Sequence, residues 1–148
     1  MDDKGINGMK YWVKLNLVSA AFALLPFLGT ELLVNVYRIS RLTGIPLGKV
    51  NSSVNMTIVV SSVLATILFV WVVCRILQGR LMSFFAVILW IPYYVLYVFL
   101  FALLFPIAER ADDPNPATGL LLMSGLIVYP FYLAGILAVG TFRKWGRR

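Results

Sequence analysis

Glu31 is the one charged residue inside a long apolar stretch of this chain. An ionisable group so placed is costly, and by default it faces a bundle interior or a water-filled cavity where it can relay protons or hold a ligand. Asn35 and Arg38 follow four and seven residues later, so on a helix all three share one face. Two chemistries fit that face. In one, Glu31 hydrogen-bonds Asn35 and pairs near the membrane boundary with Arg38 or Arg41, which is structural. In the other, it couples protons or binds a ligand. Its position close to the end of the run, away from the midplane, favours the structural role.

A second set of residues clusters by depth. Pro26, Pro92 and Pro130 fall near the middle of three apolar runs. Each removes a backbone donor and tends to kink its helix, and broken helices meeting at the midplane build binding sites in transporters. Around them stand Tyr93, Tyr94, Tyr97, Tyr129 and Tyr132, with Thr30, Ser61, Ser62 and Thr66 from the first two runs. Tyr93, Tyr97, Tyr129 and Tyr132 join Glu31, Asn35 and Arg38 as the candidate polar site. The competing account is that proline is simply commoner in membrane helices and that the hydroxyls tie helices together.

Other chemistry is poorly served. The chain has no histidine and a single cysteine, Cys74, so it can form neither an internal disulfide nor a Cys/His metal cluster. It carries no Gly-rich phosphate loop and no nucleophile motif. The expectation is a non-enzyme with no catalytic residue, no cofactor and no metal. Asp112 and Asp113 offer carboxylates to a hard cation, but they lack a ligand-spaced pattern. Cys74 reads as a packing residue. Asn51 and Asn55 sit in glycosylation-type triplets that lie against or within the second helix, where modification is not expected.

The elements that must position these groups follow from composition. Of 148 residues, 61% are hydrophobic and only 13% charged, with a mean hydropathy of +0.89. One water-soluble core of this size could not hide that much apolar surface, so lipid is expected to be the solvent. About 20 apolar residues cross a bilayer core, and four runs are long enough. The reading is an all-α integral membrane protein, one domain over residues 1–148. Its four-helix bundle has helices near 12–37, 54–74, 81–108 and 117–142. Asn115 caps the last helix and Pro116 fills its first turn. Ala21-Phe22-Ala23 resembles a signal-cleavage site, but the apolar stretch continues well past it.

Net charge is +7. The basic residues lie between the apolar runs, which fits anionic headgroups better than nucleic acid. Lys4, Lys10, Lys14, Arg75, Arg80, Arg143, Lys144, Arg147 and Arg148 fall on one side, and only Arg38, Arg41, Lys49 and Arg110 on the other. Both termini are therefore expected in the cytoplasm, with Trp12, Trp71 and Trp145 at the inner interface. Residues 38–53 mix basic and apolar side chains as a segment lying in the outer interface does. Glu109, Asp112 and Asp113 make the other outer connection acidic, so the two are expected side by side. Ser19 with Ala23, Ser61 with Ala65 and Ala134 with Ala138 have the small-residue spacing of close helix contacts.

The leading functional expectation is a non-enzymatic accessory or regulatory factor in a bacterial plasma membrane, binding another membrane component. Its partners are the lipid bilayer and another membrane protein or a second copy. The alternative is a small transporter or channel subunit working as an oligomer, with Glu31 and the Pro/Tyr layer as its site. A pore-forming lysis protein is a third reading. Small multidrug exporters offer a fold-level analogy in four helices, a short chain and a first-helix glutamate. Their glutamate is central whereas Glu31 lies near the outer end, and no family is assigned on it.

Overall fold

The structure is a computed structural model that describes residues 3–77, 81–107 and 109–145, with side chains over 8–77, 81–107 and 109–142. Arg80, Ala108, Arg147 and Arg148 lie outside the described residues, as do the side chains of Lys4, Arg143, Lys144 and Trp145. In apolar surroundings a segment must satisfy its own backbone groups, and a helix does so within itself. All four long runs are helical: α1 (Asp3–Val34), α3 (Leu47–Val72), α4 (Ala86–Leu104) and α5 (Pro116–Trp145). A short amphipathic helix, α2 (Val36–Thr43), separates the first two. A π-turn over Val73–Leu77 extends α3, and a 3-10 turn over Leu81–Phe85 precedes α4. There is no strand among the described residues, and four helices are long and apolar enough to cross a membrane.

Local chemistry explains the helix ends. The α1 helix stops at Val34, before the expected residue 37, where Asn35 leaves helical geometry at φ −93° and ψ 9°. The Asn35 side-chain amide and backbone N–H both donate to the Glu31 carbonyl, at 2.9 and 3.1 Å. Gly44 ends α2 in the left-handed conformation at φ 68°, which glycine adopts without Cβ strain. The next helix begins at Leu47 rather than at residue 54. The Pro46 carbonyl accepts from Lys49 and Val50 at 2.9 and 3.2 Å, and the polar turns after it stay helical. At the start of α5, the Ala117 N–H donates to Asn115 Oδ1 at 3.0 Å, the cap read from sequence.

The α1 and α4 helices run parallel in a steady register. Tyr11 bonds Ser83 at 2.9 Å, Tyr93 donates to Asn16 at 2.9 Å and Tyr97 donates to the Ala20 carbonyl at 3.3 Å. The first and last helices, α1 and α5, each pack on the other three long helices, so they form the middle of the bundle. The core is a helical stripe on α1, Tyr11, Leu15, Val18 and Phe22, meeting Phe69 and Val73, Ala86 and Trp90, and Leu133 and Leu137. It lies towards the end of the bundle where α1 begins and α5 finishes, here the terminal end. At the far end the buried cluster is smaller: Val36, Val50 and Val54, backed by Leu33, Ile39 and Ile58.

The exterior is as apolar as the interior. In the most apolar stretch of each long helix only 28% (α1), 11% (α3), 6% (α4) and 22% (α5) of residues are buried. Leu17, Ile67, Leu103 and Phe131 are 73%, 65%, 63% and 75% exposed, so every long helix turns large side chains outward. Surfaces of this kind on a water-soluble monomer rarely exceed a few hundred Å².

Close approach is sharpest at Gly140, where a Cβ would overlap Val73 Cγ1 in the π-turn. Val73 is β-branched and cannot swing aside easily. Gly140→Ala should therefore lower the unfolding free energy in detergent by about 1–3 kcal/mol. Gly135→Ala on the same helix, where a Cβ meets nothing within 4 Å, should be harmless. Equal melting of the two variants would show that the Gly140–Val73 contact does not hold α5 in place.

Candidate functional site

The proline at position 26 decides one contact directly. In a regular helix the N–H of residue i donates to the carbonyl of i−4, and proline has none to give. The Phe22 carbonyl is thus left without its helical donor. Tyr129, buried on α5, donates its hydroxyl to that oxygen at 2.5 Å. Trp90 packs edge-on against the Tyr129 ring at a centroid distance of 4.8 Å.

Most of the layer's other hydroxyls are engaged too, Ser61 excepted. Tyr94 bonds Thr30 at 3.0 Å, and Tyr132 bonds Thr66 at 2.7 Å. Ser62 donates to the Ile58 carbonyl at 2.7 Å. Among the described residues no buried side-chain nitrogen or oxygen lacks a hydrogen-bond partner. The tyrosines therefore do not converge on one cavity. Tyr93 and Tyr97 sit on the α1–α4 seam, whereas Tyr129 and Tyr132 face a groove between α1, α3 and α5.

That groove encloses about 610 Å³ in the far half of the bundle. Its floor is the stretch of α1 around Pro26, Gly29 and Thr30. One wall is α3 from Asn55 to Ser62, and the other is α5 from Leu121 to Tyr132. The Thr66–Tyr132 bond joins the two walls at the groove's inner limit. Leu28, Leu121 and Val128 line it and are also exposed, so it opens onto the apolar outer surface.

Glu31, Asn35 and Arg38 are not among the groove's lining residues. Asn35 Nδ2 donates to Glu31 Oε2 at 3.3 Å, as the spacing predicts. The expected pairing of Glu31 with an arginine is replaced by other contacts. Arg38 donates to the Phe105 carbonyl at 3.0 Å, where the last carbonyls of α4 lack helical donors. Arg41 turns to the acidic connection instead. Its Nε and Nη2 reach Asp112 Oδ1 and Oδ2 at 2.8 and 2.7 Å, and Nη1 lies 3.6 Å from Glu109.

The two connections thus lie side by side, joined by a bidentate charge-assisted pair. Asp112 has a side chain only 3% exposed, against 40% for Arg41. The turn that carries it, Arg110–Asp112, packs against α2. Hydrogen bonding from Arg41 holds the Asp112 carboxyl below the usual carboxylate range and raises Arg41 in turn. With both Asp112 oxygens on Arg41 and Asp113 exposed, the adjacent acids do not share a cation site.

Of the small-residue spacings, Ser19 and Ala23 are fully buried in the core, while Ser61 lines the groove. The groove itself, with Gly29 and Gly125 in its walls, carries no motif that a sequence pattern could register. No protein-family model, no curated protein and no solved structure matches the chain.

Tyr129→Phe leaves the Phe22 carbonyl unpaired and should lower stability by about 0.6–1.7 kcal/mol, the range for interhelical hydrogen bonds in membranes; unchanged melting would remove this bond from the account. The Arg41–Asp112 pair contributes at neutral pH and is lost as the pH falls below the ordinary carboxylate value of about 4, through the lowered value. Asp112→Asn should therefore flatten the acid limb of a melting-temperature profile. Asp112→Lys should lower the melting temperature at pH 7, and adding Arg41→Glu should restore it. Failure of that rescue would show that the two loops are not partners.

Proposed function

We propose that this chain is a multi-pass protein of a bacterial plasma membrane, with both termini cytoplasmic, and that it serves as a non-enzymatic accessory factor binding another membrane component. The apolar exterior of all four long helices supports insertion. The excess of Lys and Arg in the segments at the terminal end supports the orientation, since such residues stay in the cytoplasm. Trp12 and Trp71 lie at that same end and are exposed, as interface anchors are.

The observation that carries the binding role is the groove. It is concave, mostly apolar and open to the exterior, as ligand and partner sites usually are. Thr30, Tyr129 and Tyr132 use their hydroxyls to hold helices together, and among the described residues no charged side chain lines the groove, which weighs against catalysis and ion passage. Glu31 bonds Asn35 at the end of α1 and lies off the groove, which weighs against the proton-coupled transporter alternative.

Two measurements test this reading. In a Cys74→Ser background, Asp113→Cys should react with an impermeant thiol reagent from outside the cell, and Lys10→Cys only after permeabilisation. The opposite pattern would reverse the orientation. The purified protein in proteoliposomes should move no solute, and Glu31→Gln should change nothing. Proton-coupled uptake that Glu31→Gln abolishes would replace the accessory role with transport.

A further inference from the structure

The groove's dimensions say what can fill it. Its α5 wall runs from Leu121 to Tyr132 and its α3 wall from Asn55 to Ser62. At 1.5 Å per residue these walls are roughly 10–16 Å long, close to half of a bilayer core of about 30 Å. The groove is therefore one leaflet deep. It ends where the Thr66–Tyr132 bond joins α3 to α5, and below that level the core closes around Phe69, Val73 and Leu133.

That depth separates the candidate occupants. A spanning helix, from a partner or a second copy, packs along both leaflets and needs a seat of that length. The groove offers about 610 Å³ and stops at the bundle's middle. Of the hydroxyls that line it, those of Thr30, Ser62, Ser124, Tyr129 and Tyr132 are bonded within the bundle and only that of Ser61 is not, so an occupant gains little by offering hydrogen bonds. The polar side chain of Asn55 stands at the far end, on the side where headgroups would lie. In a bilayer core, a mostly apolar cavity that opens sideways meets hydrocarbon.

Resting on the membrane reading above, the geometry points to a binding site for one acyl chain of a phospholipid from the leaflet at the far end, with its headgroup beside Asn55. Lipid tails already surround the protein, so selective retention comes from shape. A chain in the groove touches walls on three sides and makes more dispersion contacts than one lying against a single helix.

Two glycines make the site testable. A Cβ at Gly29 or Gly125 meets nothing within 4 Å, so larger side chains there project into the groove without striking the protein. The full chain would be reconstituted in phosphatidylcholine liposomes containing a small fraction of phosphatidylcholine with a diazirine halfway along one acyl chain. After irradiation, adducts would be mapped by mass spectrometry. In the wild type they should concentrate on groove residues such as Ile58, Leu122 and Leu126.

Gly125→Leu should reduce those adducts about tenfold, as expected from losing a few methylene contacts, and should leave adducts on the exposed α4 residues Ile88, Val95 and Leu103 unchanged. Ser61→Leu, on the opposite wall, should act alike and serves if Gly125→Leu does not fold. Adducts no denser in the groove than on α4, or unmoved by either folded variant, would overturn the site. So would a native mass spectrum showing a second polypeptide where the lipid should be. Failure to float with the liposomes would instead remove the membrane reading itself. Solute movement by a protein whose groove still labels would remove only the accessory role.

Discussion

Pro26 strips the Phe22 carbonyl of its helical donor, and the Tyr129 hydroxyl supplies the missing bond. In apolar surroundings a carbonyl left without a donor is unfavourable, which favours filling the vacancy from another helix. That bond brings α5 against α1 at one depth and one rotation. Phe22 then packs against Phe69 at a centroid distance of 4.6 Å, and Trp90 against Tyr129, so α3 and α4 are drawn to the same point. A local defect in the first helix becomes the junction of all four.

The bundle is held differently on the two sides of that junction. Towards the terminal end, close packing does the work: the α1 stripe, the Tyr11–Ser83 bond and the bare Cα of Gly140 against Val73 leave no room between helices. Towards the far end, contacts are made through the connections. Val36 of α2 covers Val50 and Val54 at the start of α3, Arg38 caps α4, and Arg41 clamps the acidic loop. These fasten the rim while α3 and α5 part beneath it. The groove is what lies between a tight base and a tied rim.

The polar layer shows how one set of residues can serve two ends. The hydroxyls of Tyr93, Tyr94 and Tyr97 stitch α1 to α4, and these three residues are not among those that line the groove. Tyr129 and Tyr132 stitch α1 and α3 to α5 while their rings form the groove's lower wall. A tyrosine can do both because its polar tip and its apolar ring are separate surfaces.

The four long helices, the α5 cap at Asn115 and the charge bias between the runs were all readable in the sequence. Hydropathy over 20 residues and a cap's local hydrogen bond do not depend on what lies elsewhere in the chain. The attraction between residues 38–53 and the acidic connection was also readable, because opposite charges at one end of a bundle have few other partners. Which arginine does what was not. Arg38 goes to a carbonyl and Arg41 to Asp112, a choice set by where α2 lies after the break at Asn35. Tyrosine and proline types marked a layer, but their partners depended on helix rotation. The groove was invisible for a stronger reason: it consists of the space that Gly29, Ser61 and Gly125 fail to fill. A small residue has the same letter whether a neighbour presses against it, as at Gly140, or nothing does, and only the packing of three helices decides between the two.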